Sequence, residues 1–224
     1  YSLAQKAAHR TVAKWPLSDH APEGQYLVAR CYEARGQDEK AFNEYQKVLD
    51  KYPKVSNYEE ILKRQNEIAT RFLNGQWFKL WGYIPIFPSM EKTADMYRKL
   101  VKNGPYSDVA AEAQLNIGEA MEKRALPFSY PNYVEAVKAY ETAADHYHDK
   151  AKYASEALFK AGLAYQKQAK SAEYDQNATT KAIATFTDFI SLYPKEPRVP
   201  EAQQIIADLK TEQARGNFEI ARFY

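Results

Sequence analysis

The sequence predicts an all-α fold, an α-α solenoid of about five helix–turn–helix units. Three observations predict it. Gly is scarce, with 8 in 224 residues, while Ala, Glu, Lys and Gln abound, which favours helix throughout. One cadence, small-x3-aromatic-x7-Pro, recurs along the chain. Upstream of several copies lies a matching helix in which a small residue stands three positions before a large one.

The opening "AQKAAHRTVAKWP" carries the cadence weakly, with Ala4, Ala8 and Pro16. "YLVARCYEARG" then places Ala29 three before Tyr32, and "KAFNEYQKVLDKYP" supplies Ala41, Tyr45 and Pro53. "KTADMYRKLVKNGP" supplies Thr93, Tyr97 and Pro105. "LNIGEAMEK" places Gly118 three before Met121, and "EAVKAYETAADHYH" follows with Ala136, Tyr140 and His148 in the Pro slot. "LFKAGLAYQK" places Gly162 three before Tyr165, and "KAIATFTDFISLYP" gives Ala182, Phe186 and Pro194. A small residue lets two helices approach, and the aromatic one turn on fills the gap between them. Pro cannot continue the hydrogen-bond ladder and closes the helix. Ala41, Tyr45, Ala136, Tyr140, Ala182 and Phe186 are therefore the expected core. The expected units are 1–21, 22–55, 56–107, 108–150, 151–197 and an incomplete 198–224, in a single repeat array over 1–224.

This pattern resembles the tetratricopeptide repeat, a helix–turn–helix unit of about 34 residues. Leu27, Val28, Ala29, Tyr32, Ala41, Tyr45 and Pro53 fall where that repeat expects apolar, small, aromatic or Pro residues. The later units are longer. The surplus falls between first and second helices, at 76–90, 125–133 and 169–180, so three long loops are expected along one edge.

The arrangement more specifically resembles the outer-membrane assembly lipoprotein family of BamD, also called YfiO. "NGQWFKLWGYIPIFPSMEKTADMYRKLVKNGPYSDVAAEAQ" has the family's order: an aromatic insertion, a helix carrying Thr93, Tyr97 and Leu100, a turn from Pro105 to Ser107, and an Ala-rich helix from Ala110. "LKTEQARGNFEIARFY" resembles the long first helix of the last unit, and turns such as "YPK" recur at helix ends. The resemblance implies a non-catalytic protein–protein interaction scaffold on the periplasmic face of the bacterial outer membrane. Its partners would be protein subunits of an envelope assembly complex, or extended peptide segments. It also implies membrane association through a lipid anchor on a Cys ahead of Tyr1. The alternative is a generic tetratricopeptide-repeat adaptor in another envelope polysaccharide or secretion system.

Composition narrows the classes. Net charge is +2, from 31 basic and 29 acidic residues, which gives no electrostatic reason to expect nucleic acid. The single Cys31 lies among apolar residues at helical spacing and reads as a buried structural thiol. No apolar run reaches the roughly 18 residues of a membrane span. The chain starts at Tyr1 with neither Met nor a signal peptide, which reads as a processed or trimmed fragment. No phosphate-binding loop, nucleophile elbow or zinc-type Cys pair occurs, so no enzyme activity, cofactor or metal is expected. His146 and His148 stand two apart, pointing to opposite sides of a helix, and His148 reads as a helix-end residue.

Candidate binding residues fall into two sets. "QWFKLWGYIPIFPSM" crowds Trp77, Phe78, Trp81, Tyr83 and Phe87 into one insertion, and Phe128, Tyr130 and Tyr133 lie in or beside the next. Such rings can fold back as a satellite core, dock a partner or sit at a membrane surface. Pro85 and Pro88 deny the stretch a regular helix, and its surplus of apolar side chains favours a docking element, partly packed and partly exposed. The second set flanks the packing positions of the first helices and is expected on a concave face: Tyr26, Arg30 and Glu33, then Leu115, Glu119 and Glu122, then Phe159, Leu163 and Gln166.

Overall fold

The computed structural model describes residues 2–80, 84–123, 131–171 and 176–223. These divide into two compact units, the first ending at Ala110 and the second starting at Ala111. The first holds α1 (Ser2–Lys14), α2 (Ala21–Glu33), α3 (Asp38–Lys51), α4 (Tyr58–Leu73), β1 (Phe78–Leu80), β2 (Ile84–Phe87) and α5 (Met90–Asn103). The second holds α6 (Ala110–Glu122, its first residue still in the first unit), α7 (Tyr133–His146), α8 (Ala151–Ser171), α9 (Gln176–Leu192) and α10 (Val199–Phe223). In each unit helices pack on their neighbours in sequence. Ten helices among the described residues make the fold all-α helical repeats.

Helix ends follow the punctuation in the sequence. Every odd-numbered helix stops two residues before its cadence position: Lys14 before Pro16, Lys51 before Pro53, Asn103 before Pro105, His146 before His148, Leu192 before Pro194. His148 fills the Pro slot by a different route, with Nδ1 2.8 Å from the Asp145 carbonyl at the helix end. The Ser89 hydroxyl accepts from the Lys92 amide and starts α5; Asn132 does the same for the Glu135 amide of α7. Gly36 and Gly75 take the left-handed backbone, φ 64° and 95°, as the chain leaves α2 and α4.

The core is built by the cadence. Ala41, Tyr45, Thr93, Tyr97, Ala136, Tyr140, Ala182 and Phe186 are all buried. Two glycines on the first helices are spaces for these rings. A Cβ on Gly118 would lie 2.4 Å from Tyr140, and one on Gly162 2.7 Å from Phe186. In the second unit Phe186 joins Phe159, Phe189 and Ala202 in one cluster. Each such side chain contributes about 1.5–3 kcal/mol by leaving water.

Two expectations need correction. The first insertion is not loop alone: β1 and β2 pair antiparallel, with Phe78 opposite Phe87, Lys79 opposite Pro85, and a register shift between Phe78 and Lys79. Pro85 has no amide to donate, which a two-stranded ribbon tolerates and a longer sheet would not. The third insertion is mostly helix. Residues 169–180 hold the end of α8, through Ser171, and the start of α9, from Gln176. No Gly or Pro interrupts that stretch, so its surplus goes into longer helices. Most of the second insertion, residues 125–130, lies outside the described residues.

Candidate protein-interaction faces

On the first unit, side chains of α2, α3 and α4 form one polar cluster. Glu33 on α2 accepts from the Tyr45 phenol of α3 at 2.6 Å. From α4, Arg64 reaches the same carboxylate at 3.4 Å and Arg71 at 3.3 Å. Arg71 also donates to Asp38 at 3.2 Å, and Asp38 accepts from Gln76, at the root of the ribbon, at 2.7 Å. Tyr26 donates to Glu60 at 2.6 Å and accepts from Arg30 and Arg64, each at 3.2 Å.

The electrostatics follow these bonds. The Tyr26 hydrogen bond, helped by Arg64, holds the Glu60 carboxyl below its usual range. The same phenol raises Arg30. Burial works against charge on Arg64, but its bonds to Tyr26 and Glu60 prevail and raise it. Burial, then the bond to Glu33, pushes the Tyr45 phenol far up.

The second unit repeats this with other residues. Counting from the small residue of each first helix, Glu33 stands four after Ala29 and Glu122 four after Gly118. Tyr140 of α7, raised first by burial and then by Glu122, occupies the place of Tyr45. The cations match as well. Arg64 and Arg71 stand two before and five after Asn66; Lys160 and Lys167 stand two before and five after Gly162. Lys167 pairs with Glu122, and Lys160 with Glu119 at 3.3 Å. Burial would raise Glu119, but its hydrogen bond to Lys123, at 2.8 Å, and the field of Lys160 outweigh it and hold the carboxyl low. Lys160 also meets Glu156 at 3.7 Å, and Glu156 meets Arg198 at 2.6 Å.

The ribbon is anchored at Phe78. Phe78 is buried, stacked on Phe72 with centroids 4.2 Å apart, and Lys92 lies 5.0 Å over its ring. Beside it a cavity of about 250 Å³ is lined by Phe42, Phe78, Met96, Glu39, Lys92 and Lys99. Trp77, its neighbour in sequence, is 50% exposed.

The expected site residues thus separate. Tyr26, Arg30 and Glu33 come together, as do Glu119 and Glu122. Leu163 and Gln166 are half-buried, Leu163 against the Phe186 cluster. Leu115 and Phe159 are buried rather than open; Phe159 packs against Phe186 and Phe189, while Tyr26, at the equivalent position three before Ala29, stays half-buried with its phenol in the polar cluster. Arg198 covers the Phe159 ring at 4.4 Å. Phe78 is likewise core, not a docking ring. Tyr133 is half-buried at the first residue of α7, and Phe87 is placed by its pairing in β2. Trp81, Tyr83, Phe128 and Tyr130 lie outside the described residues. The reading of the sequence missed Arg64, Arg71, Lys160 and Lys167. Their shared spacing, a cation followed seven residues later by another on α4 and on α8, was the available signal.

Successive helix pairs, each closing on a small residue and an aromatic, mark a tetratricopeptide repeat protein. A tetratricopeptide repeat model matches residues 23–54, which hold most of α2 and all of α3. A second family model, YfiO, described as outer membrane lipoprotein, matches residues 89–224, more than half of the chain. The chain belongs to this outer membrane lipoprotein family. Among solved structures, BtubC (BKLC) from P. vanneervenii is similar at 16% identity, covering 96% of this chain and 89% of its own, with a TM-score of 0.38. A Podosopora anserina kinesin light chain-type protein of nearly identical TPR-like repeats is similar at 15% identity over 87% of this chain and 87% of its own, with a TM-score of 0.40. No curated protein sequence matches the chain.

Proposed function

We propose that the protein is a non-catalytic scaffold of the outer-membrane assembly type, working on the periplasmic face of the bacterial outer membrane. Its repeats hold partner subunits or extended peptide segments. The observation that carries this reading is the match of the outer membrane lipoprotein family across α5 to α10. The two faces support it. They present preset charges on rigid helices, the arrangement that orients a partner, and their carboxylates are tied to cations and phenols rather than to a nucleophile. Trp77, half exposed beside the ribbon, is a second contact for a subunit.

The test is affinity purification of the tagged protein from its native envelope after membrane fractionation. The proposal expects it in the outer-membrane fraction, with subunits of an assembly complex or unfolded outer-membrane proteins co-eluting. Co-elution with polysaccharide-export or secretion components alone would replace the assembly role with that of a general adaptor. Loss of capture in an Arg64→Ala, Arg71→Ala variant would place the contact on the α2–α4 face.

A further inference from the structure

The first unit carries a feature that the scaffold reading does not use. Its turns between second and first helices lie side by side. The Tyr52 phenol donates to the Pro16 carbonyl at 3.0 Å, sewing the turn after α3 to the turn after α1. The Tyr58 phenol donates to the Asn103 carbonyl at 2.7 Å, sewing the end of α5 to the start of α4. Pro16, Pro53 and Pro105 stiffen these turns. From this edge project Trp15, 59% exposed, Leu17, 97%, and Tyr106, 95%. Lys14, Lys51, Lys54 and Lys102 are exposed along the same edge, and none of them is in an ion pair among the described residues. Lys14 lies 5.8 Å over the Trp15 ring. Asp19, Asp50 and Asp108 share the edge, so its net charge is small.

We propose that this edge rests on a phospholipid bilayer, with Trp15, Leu17 and Tyr106 entering the headgroup layer and the four lysines meeting lipid phosphates. Trp and Tyr carry an apolar body and a polar tip, which suits the membrane–water boundary. Leu17 stands nearly free of its own protein at a turn tip, and a fully exposed tip inserts between headgroups without rearranging its base. Family membership puts a bilayer within reach, and three stiff turns in a row fix the angle at which the helices would stand on it. With acids and bases nearly balanced, insertion of the rings contributes more than charge, so binding weakens only moderately with salt.

Flotation with vesicles tests this, using the purified chain of 224 residues without any lipid modification. Phosphatidylethanolamine vesicles containing phosphatidylglycerol should carry the protein upward. The triple variant Trp15→Ser, Leu17→Ser, Tyr106→Ser should lower the bound fraction at least about tenfold while keeping the helical circular dichroism of the parent. In a Trp77→Phe, Trp81→Phe background Trp15 is the remaining tryptophan, and its emission should move to the blue on adding vesicles. No flotation overturns the proposal. So does flotation unchanged in the triple variant, which would assign membrane contact to another surface. A triple variant that loses a co-purifying protein, from a parent that never floats, makes the edge a protein interface instead.

Discussion

On α2 and α4, Glu33 sits between Arg64 and Arg71; on α6 and α8, Glu122 meets Lys167 and Glu119 meets Lys160. The positions are equivalent and the side chains are not. An Arg fork can share a carboxylate and still donate elsewhere, so one Glu anchors two cations, and Arg64 also holds Tyr26 while Arg71 holds Asp38. Lys is a point charge, and α6 supplies a second Glu where α2 has Arg30. The comparison separates what the repeat demands from what it tolerates. The demand is a polar partner for the buried phenol one helix away: Glu33 for Tyr45, Glu122 for Tyr140, and Thr70 for Tyr97 at 3.0 Å. In α8 and α9 the ring is Phe186, which has no hydroxyl, and the equivalent position is Gln166.

The largest effect expected is at the rings themselves. Tyr45→Ala and Tyr140→Ala should each cost about 3–5 kcal/mol, measured by urea unfolding, since both rings are buried between helices. If one substitution cost less than about 1 kcal/mol, the two hairpins would not be equivalent.

Next come the carboxylates. Glu33→Ala should cost about 2 kcal/mol and Glu122→Ala about 1 kcal/mol. The gap is expected because Arg64 is 23% exposed while Lys167 is 47% exposed, so water already competes for the second pair. Equal losses would show that the Arg fork adds nothing over Lys.

A gain can be built into the third hairpin. Gln166→Glu with Phe186→Tyr should recreate the phenol–carboxylate bond, with a favourable coupling of about 1 kcal/mol in a double-mutant cycle. Zero coupling would end the equivalence at α8.

The smallest effect near neutrality appears at high pH. Tyr45 and Tyr140 are raised above the ordinary phenol value of 10.0, first by burial. An acid with a raised folded pKa stabilises the fold fully below the unfolded value, and that stability is lost as pH rises above it. Stability should therefore be level in this respect up to about pH 10 and fall beyond it. Absorbance of phenolate should show these rings ionising only as the fold is lost; ionisation of every tyrosine near pH 10 without unfolding would refute their burial.

Most of the fold was legible because the cadence is local. Ala41 and Tyr45, or Ala182 and Phe186, stand one helical turn apart, and a small residue followed by a ring reads directly as a buried seam. The ion pairs were not legible in the same way. Glu33 and Arg71 meet only after a whole hairpin has been interposed, so no window of one helix contains both. Leu115 and Phe159 were misplaced for a related reason: first helices touch neighbours on several sides, leaving a narrower open stripe than one flanking rule allows. The ribbon was hidden by its prolines, which exclude helix without announcing a strand. Trp77 and Phe78 show the limit most sharply, since adjacent rings of the same apolar character end on opposite sides of the surface.

Gly118 and Gly162 leave room for rings that belong to the second helix of their own hairpins. Each hairpin can therefore close its tightest contact over a short loop of chain, before any neighbouring repeat is in place. Short closures cost little chain entropy and favour fast folding. Repeats can thus be completed one after another along the chain, each finished hairpin offering the next a ready template.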